Sequence, residues 1–316
     1  MVTNLNASSE LFLASLNRVE QQLNTANIEM SSGKKLNVAS DAPGSVPPLL
    51  QLRTDQAQNQ QIESNLTMAQ TNANAADTAL ASASSLLDTA VQLATQAANA
   101  TQTQDTRLSI AQQVQGILEQ MVAYSQTQVE GRYIFSGDQD QSPTYQLDLS
   151  APNGAPDANG AGNGVDQLAT PAATQRIQDP AGGSFTASQT AQQIFDDSAG
   201  DGTPAADNVF AALNGLLTAL NNNDQPGIAN ALTNLQQAST HVNNAEAFYG
   251  TVENRIEAAS NFASSYDTQL ATEIGDKQDA DLTQVALQAT QAGTQLQAAM
   301  QMQGQMPKST LFDYLG

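Results

Sequence analysis

The segment Leu282–Ala299, with the sequence LTQVALQATQAGTQLQAA, decides the fold of this 316-residue chain. Its apolar residues recur at alternating spacings of three and four, which is a heptad pattern and predicts a helix with one narrow apolar stripe. These positions are Leu282, Val285, Ala289, Ala292, Leu296 and Ala299. Few of their side chains are large, so we expect the helix to be marginal alone or with one similar partner.

The beginning of the chain carries a matching apolar pattern. Its positions are Phe12, Leu16, Val19, Leu23, Ala26 and Met30. The two terminal segments are therefore predicted to pair with each other. We call these two sets of apolar positions the seam. Because the seam has few large side chains, we expect its residues to contact other subunits as well.

Between the termini, the helical period stops and resumes several times. Gly33 and the prolines at 43, 47 and 48 predict an irregular connector over 31–48. A long helix is predicted to begin at Leu52, and a turn follows at 101–106. A second helix then runs back antiparallel to the first. The residues Arg132, Tyr133, Ile134 and Phe135, which lie between Gly131 and Gly137, favour a strand.

The region 138–204 is rich in Gly and Pro, with short alternating apolar fragments, and predicts a small inserted domain. Heptad-like spacing then continues to Leu270. The predicted fold is mainly α, a long antiparallel helical hairpin or coiled-coil rod formed by the two halves, with a β-rich domain at its tip. The predicted domains are a terminal domain (1–48 and 275–316), a helical rod (49–137 and 205–274) and the insertion.

Composition excludes several classes of function. A net charge of −21 disfavours binding to nucleic acid or to anionic membranes. The chain has no cysteine, which excludes disulfides and thiol chemistry. We find no apolar window long enough to span a membrane and no conventional signal peptide.

No catalytic constellation is apparent, so we expect neither an enzyme nor a metal or cofactor site. The single histidine, His241, lies in a helical repeat and is interpreted as an ordinary surface or groove residue. The pattern Ser31-x-x-Lys34 lacks the partner motifs of an acylating serine. Gly160, Gly162 and Gly164 follow no predicted strand and indicate a flexible linker rather than a dinucleotide loop.

Several phrases resemble the bacterial flagellin family. Residues 31–41, SSGKKLNVASD, are similar to a phrase of that family, although Ala42 stands where the family has a second Asp. The resemblance assigns a connector to residues Ser31, Ser32, Gly33, Lys34, Asn37, Asp41, Pro43 and Gly44. Residues 80–99 resemble a family helix that ends near Asn99. Both helical halves carry the resemblance, and 138–204 carries little of it.

Three further phrases are similar to those of family members at the junction between the flagellar hook and its filament. They are GRYIFSG at 131–137, DLTQVAL at 281–287 and the closing phrase built on Leu311, Phe312, Asp313, Tyr314 and Leu315. We expect Tyr133, Ile134 and Phe135, flanked by Gly131, Arg132 and Gly137, to anchor the inserted domain.

The resemblance implies a structural protein of the extracellular flagellum, exported without a cleaved signal by the flagellar type III apparatus. Implied partners are further copies of the chain, hook-associated protein 1, flagellin and an export chaperone. The terminal helices are expected to line the inner tube and to fold on incorporation. Two alternatives remain: the main filament subunit, and a soluble coiled-coil scaffold of a different class.

Overall fold

The computed structural model describes residues 3–149, 162–199 and 203–305. Within these ranges the chain has seven helices and six short strands. In chain order they are α1 Thr3–Ser32, α2 Val46–Ala98, α3 Gln104–Ser125, β1 Gln128–Val129, β2 Arg132–Tyr133, β3 Tyr145–Leu147, β4 Val165–Gln167, β5 Arg176–Gln178, β6 Ser184–Thr186, α4 Ala191–Phe195, α5 Val209–Asn221, α6 Gln225–Gln278 and α7 Leu282–Gln305. The prediction of a mainly helical protein is confirmed.

The chain divides into two compact units, which are described separately. Unit 1 comprises Met1–Gln58 and Tyr266–Gly316, and unit 2 comprises Asn59–Ser265. None of the helices described here is long and apolar enough to cross a bilayer.

Unit 1 is built on the antiparallel pairing of α1 with α7. The end of α1 meets the start of α7, because Lys35 N donates to Gln278 O at 2.8 Å and Ala280 N donates to Gly33 O at 3.0 Å. Further along both helices, Ala26 and Ala292 are buried and line the same groove. The predicted pairing of the two terminal segments is confirmed.

Unit 2 has an extensive core along its helices. In α2 the buried positions alternate by three and four: Leu66, Ala69, Ala73, Ala76, Leu80, Ala83, Leu87, Ala90, Ala94 and Ala97. Alanine at seven of these ten positions lets neighbouring helices approach closely. Helices α2 and α6 run antiparallel here, since Asn59 Nδ2 donates to Ala263 O at 2.8 Å and Gln225 Nε2 donates to Ala98 O at 3.2 Å.

The end of α2 is tied to α3 by Arg107, which is 5% exposed. Its guanidinium donates to Ala97 O at 3.1 Å, to Asn99 O at 3.4 Å and to Asn223 Oδ1 at 2.5 Å. A cation suits this position because the last carbonyls of a helix lack intrahelical partners and carry partial negative charge.

The strands form three separate two-stranded antiparallel sheets: β1–β2, β3–β4 and β5–β6. The first is a tight hairpin whose two loop residues, Glu130 and Gly131, both have positive φ. Such a turn matches the right-handed twist of its strands.

The sequence predicts that the insertion is a separate domain. In the structure it instead lies within unit 2 and shares the core of that unit. Tyr145, Phe185, Ile194 and Phe195 of this region are buried in the same cluster as the helix residues Leu213 and Val242. Its sheets are too small to bury an apolar face alone. The helices therefore supply the other side of the core.

The connector is shorter than predicted. Helix α1 extends through Ser32, and α2 begins at Val46 with Pro47 and Pro48 in its first turn. Proline is tolerated there because the first backbone N–H groups of a helix have no intrahelical acceptor. The predicted strand at 132–135 is also shorter, since Ile134 and Phe135 leave β2 and turn into the core.

Candidate functional site

The connector between α1 and α2 is an ordered turn. Gly33 ends α1 with φ +70°, and its N–H donates to Glu29 O at 2.8 Å. Asp41 Oδ2 then accepts the backbone N–H groups of Asn37 and Val38, each at 2.9 Å. Asn37 Nδ2 donates to Lys34 O at 2.7 Å. The connector residues recognised in the sequence therefore hold one another in place.

Contacts from α2 and α6 join this turn to the C-terminal half of the chain. Arg53 Nη2 donates to Gln278 Oε1 at 2.7 Å, and Gln278 is 5% exposed. Lys35 Nζ donates to Asp276 O at 3.3 Å. The start of the α1–α7 pair is thus fixed by hydrogen bonds rather than by a large apolar cluster.

The predicted seam follows the contact between α1 and α7 over most of its length. Val285 and Ala292 are buried, and the half-buried positions are Phe12, Leu16, Val19, Leu23, Ala289 and Leu296. Two seam residues differ from the prediction: Met30 is 44% exposed and Leu282 is 53% exposed. Met30 lies near the end of α1, and Leu282 is the first residue of α7.

The core of unit 1 is thin. Within the described residues, its buried hydrophobic side chains are Ala26, Leu49, Leu270, Val285 and Ala292. Burial of a large aliphatic side chain contributes about 1.5–3 kcal/mol, whereas alanine contributes far less. The pair of terminal helices therefore has little intrachain stabilisation for its length.

A second set of apolar side chains, outside the predicted seam, lies on the exposed faces of the two terminal helices. Those at least half exposed are Leu11, Leu13, Leu287, Met300 and Met302. Sequence reasoning missed this set because it followed the single best heptad register. The sequence does contain a signal for this set, because large apolar residues occupy helix positions outside the seam that are otherwise polar. Clusters of exposed apolar side chains are typical of surfaces that bind other proteins.

The residues 131–137 anchor the insertion to the helices of unit 2. Phe135 is fully buried and packs edge-on against Phe195 and Tyr249, with ring centroids 6.0 and 6.2 Å apart. Gly137 has φ +54°, and a Cβ at this residue would lie 2.4 Å from Ala173 O. Glycine is required at this position by both conformation and space.

Of the flanking residues, Arg132 is exposed and Tyr133 is half-buried. Arg132 pairs with Asp140 at 2.9 Å, with the arginine side chain 67% exposed. The hydrogen bond from Gln141 and the nearby guanidinium lower the pKa of Asp140. An exposed pair of this kind contributes little to stability, so the anchor depends on Ile134 and Phe135.

A buried polar cluster next to the anchor was not foreseen. Asp196 is 8% exposed, and its Oδ1 accepts from Asn163 Nδ2 at 2.6 Å and from Asn208 Nδ2 at 2.8 Å. Burial raises the pKa of Asp196 despite these donors. Burial also raises the pKa of Tyr145, as does the nearby Asp196 carboxylate.

His241 lies on α6 in a surface groove, in agreement with its interpretation as a groove residue. Its Nε2 is 2.8 Å from Gln193 O and its Nδ1 is 3.2 Å from Asp207 Oδ2. Ser31 is exposed near the end of α1. The closing motif, Leu311 to Leu315, lies outside the described residues, as does Gly160.

Comparison with known proteins identifies the same family that the sequence phrases indicate. The model of the bacterial flagellin N-terminal helical region matches residues 3–140, and that of the C-terminal helical region matches residues 232–315. Together they cover well over half of the chain. The matched residues include all of α1, α2, α3 and α7 and most of α6.

The chain is also similar to individual flagellar proteins. It is 26% identical to flagellar hook-associated protein 3 of Escherichia coli strain K12 over 297 residues, which is 87% of this chain and 89% of that protein. A solved flagellar hook-associated protein from Vibrio parahaemolyticus has a TM-score of 0.61, with 19% identity over 76% of this chain and 100% of that one. The solved structure of the flagellar junction protein FlgL from Legionella pneumophila has a TM-score of 0.51 and 12% identity, and the match covers 66% of this chain and 99% of that one.

Proposed function

This chain belongs to the bacterial flagellin family, a family of flagellar structural proteins rather than enzymes, and we propose that it joins the flagellar hook to the filament. The observation that carries the proposal is its nearly full-length similarity to flagellar hook-associated protein 3. The phrase GRYIFSG at 131–137 supports the same role, because it resembles a phrase of family members at that junction.

The proposed mechanism is assembly through the terminal helices. In the free subunit α1 and α7 are marginally ordered, because their pairing buries few large side chains. Neighbouring subunits then cover the exposed apolar residues, such as Leu11 and Leu287, and complete the fold. Ordering is conditional on incorporation, which suits a chain that is exported unfolded.

The proposed partners follow from this position. Further copies of the chain complete the layer, and hook-associated protein 1 and flagellin lie on its two sides. A flagellar export chaperone covers the terminal segments before export, and the flagellar type III apparatus secretes the chain without cleaving a signal. Nucleic acid and membrane are not partners, in keeping with the net charge of −21.

Immunolabelling of intact flagella tests the location. An antibody against the surface of unit 2 is expected to mark a short zone next to the hook. A strain that lacks the gene provides the control for antibody specificity. Label along the whole filament would instead identify the chain as the main filament subunit, which is the second candidate.

A third candidate, a soluble coiled-coil scaffold, is disfavoured by the family membership of both terminal regions. Cell fractionation separates it from the proposal. The proposal expects the chain in sheared flagella and in the culture medium of hook-only mutants, whereas a scaffold would stay in the cytosolic fraction.

A further inference from the structure

Three side chains of ligand type converge at the surface of unit 2, on the side of the insertion. Asp197 follows α4, Asp207 precedes α5, and His241 lies on α6. One carboxylate oxygen or ring nitrogen from each lies within 4.8 Å of the other two. The three residues are partly buried, so they are accessible from solvent without being fully hydrated.

The hydrogen bond on one side of His241 determines which ring nitrogen carries a proton. Nε2 is 2.8 Å from Gln193 O. A carbonyl oxygen can only accept, so Nε2 must carry the hydrogen. In the neutral ring, Nδ1 then holds a lone pair, and this atom faces Asp207 Oδ2 at 3.2 Å. The Nδ1 lone pair and the Asp207 oxygen are both acceptors, and at this distance they repel each other unless a proton or a metal cation lies between them.

The arrangement has the features of a metal-bound histidine. Such histidines almost always donate their other N–H to a carbonyl or carboxylate, which orients the ring. A metal ion about 2.1 Å from both Nδ1 and Oδ2, with an angle of about 100° between the two bonds, reproduces the observed separation of 3.2 Å. The backbone carbonyl of Gln193 would therefore be the outer partner.

The loop that carries Asp197 is held in place by its own hydrogen bonds. Ala205 N and Asn208 Nδ2 each donate to Asp197 O at 2.9 Å, and Ser198 N donates to Asp197 Oδ1 at 2.9 Å. The carboxylate is thus oriented before any ligand binds. A preorganised ligand loses less conformational entropy on binding.

The charge around the site favours a cation. The groove beside His241 is lined by uncharged side chains, including Gln236, Thr240 and Asn244, and its charged member is Asp207. The buried Asp196 carboxylate precedes Asp197 in the chain and shares Asn208 as a donor. Within the described residues, no lysine or arginine pairs with Asp197 or Asp207.

We propose that Asp197, Asp207 and His241 bind a divalent transition-metal ion of the Zn²⁺ type, with water in the remaining positions. A mixed imidazole and carboxylate set suits Zn²⁺, whereas Ca²⁺ and Mg²⁺ prefer oxygen ligands alone. The ion links α4, α5 and α6, and so clamps the insertion onto the helices. This role is independent of the proposed place in the flagellum.

Isothermal titration of the untagged, full-length chain with ZnCl₂ at pH 7.5 tests the proposal. We expect saturable binding of one ion per chain, and at least tenfold weaker binding for His241→Gln and for Asp207→Asn. Glu20→Gln, which removes an exposed carboxylate in unit 1, is the matched control and should bind as the wild type does.

A second readout needs no variant. The chain has one histidine, so Co²⁺ should shift or broaden a single set of imidazole proton signals at equimolar concentration. The absence of saturable Zn²⁺ binding up to 1 mM, unchanged imidazole signals with Co²⁺, or equal binding by folded H241Q and D207N would each overturn the proposal. The contact between Nδ1 and Asp207 would then be an ion pair with a doubly protonated ring.

Discussion

At the scale of single residues, the buried position of the Asp196 side chain carries an energetic cost. A carboxylate that is 8% exposed is stabilised here by two asparagine donors to one oxygen, and the cost of burying its charge still raises its pKa. The neighbouring Tyr145 hydroxyl is also buried, and burial together with the nearby Asp196 carboxylate raises its pKa. The cluster orients the loop after α4 at the expense of stability near neutral pH.

The raised pKa of Asp196 predicts a specific pH dependence of stability. The native state binds the proton more tightly than the unfolded state, so this group favours folding fully at a pH below its unfolded pKa. That contribution is lost as pH rises through the folded pKa. Within this window each pH unit is worth up to about 1.4 kcal/mol.

The variant Asp196→Asn isolates this effect. Its Oδ1 can keep both asparagine donors, while its amide stays neutral at every pH. We expect the free energy of unfolding of the variant, relative to the wild type, to increase as pH rises from 4 towards 7. Urea titrations at several pH values measure it, and Glu20→Gln is the control. A difference that is flat or falls with pH would contradict the assignment.

At the scale of elements, the terminal helices have two apolar faces with different partners. The seam through Val285 and Ala292 lies against the opposing helix, whereas the second face carries Leu287, which is 58% exposed. A helix with apolar residues on more than one side is normally buried on more than one side. The second face is therefore the one through which we expect subunits to contact each other.

Substitution on the second face should separate folding from assembly. Leu287 is 58% exposed, so Leu287→Asp should change the stability of the free subunit by less than about 0.5 kcal/mol. Incorporation should nevertheless be lost, because assembly would bury an unpaired charge. Motility and immunolabelling of a complemented deletion strain measure incorporation.

Gln297→Asp is the matched control for this change, since it adds the same charge to an exposed polar position of α7. It should incorporate more efficiently than Leu287→Asp. Normal incorporation of Leu287→Asp would show that this face is not an assembly contact.

The sequence predicted helices far better than the boundaries between them. Heptad spacing identified buried seam positions such as Val285 and Ala292, because burial on one helical face repeats with the helical period. It could not foresee that Pro47 and Pro48 begin α2 rather than end the connector, since proline suits both places. Nor could spacing reveal Asp196 or the grouping around His241, because those contacts join residues far apart in sequence.

At the scale of the whole molecule, the chain has one well-packed unit and one sparsely packed unit. Unit 2 contains the aromatic cluster of Phe135, Phe195, Phe210 and Tyr249, to which both the insertion and the helices contribute. Unit 1 contains the chain termini and few buried large side chains. This division is expected of a protein in which unit 2 is stable in the free subunit and the terminal helices are stabilised by neighbouring subunits.

Deletion of residues 138–204 tests whether the insertion is separable. The sequence alone favours a dispensable domain, whereas the shared core predicts that the deletion destabilises unit 2. Loss of Phe195 by itself should cost about 3–5 kcal/mol. Thermal unfolding followed by circular dichroism should show a lower Tm in both Phe195→Ala and the deletion. A deletion variant that unfolds at the wild-type temperature would contradict the shared core.

The most direct test of the account compares hydrogen exchange in the free subunit with exchange in purified hook–filament junctions. In the free subunit we expect amides in α1 and α7 to exchange fast, while those of α2 and α6 around Leu80 and Tyr249 remain protected. In the assembled structure α1 and α7 should become protected to a similar degree. Terminal helices that are already protected in the free subunit would contradict the claim that neighbouring subunits complete them.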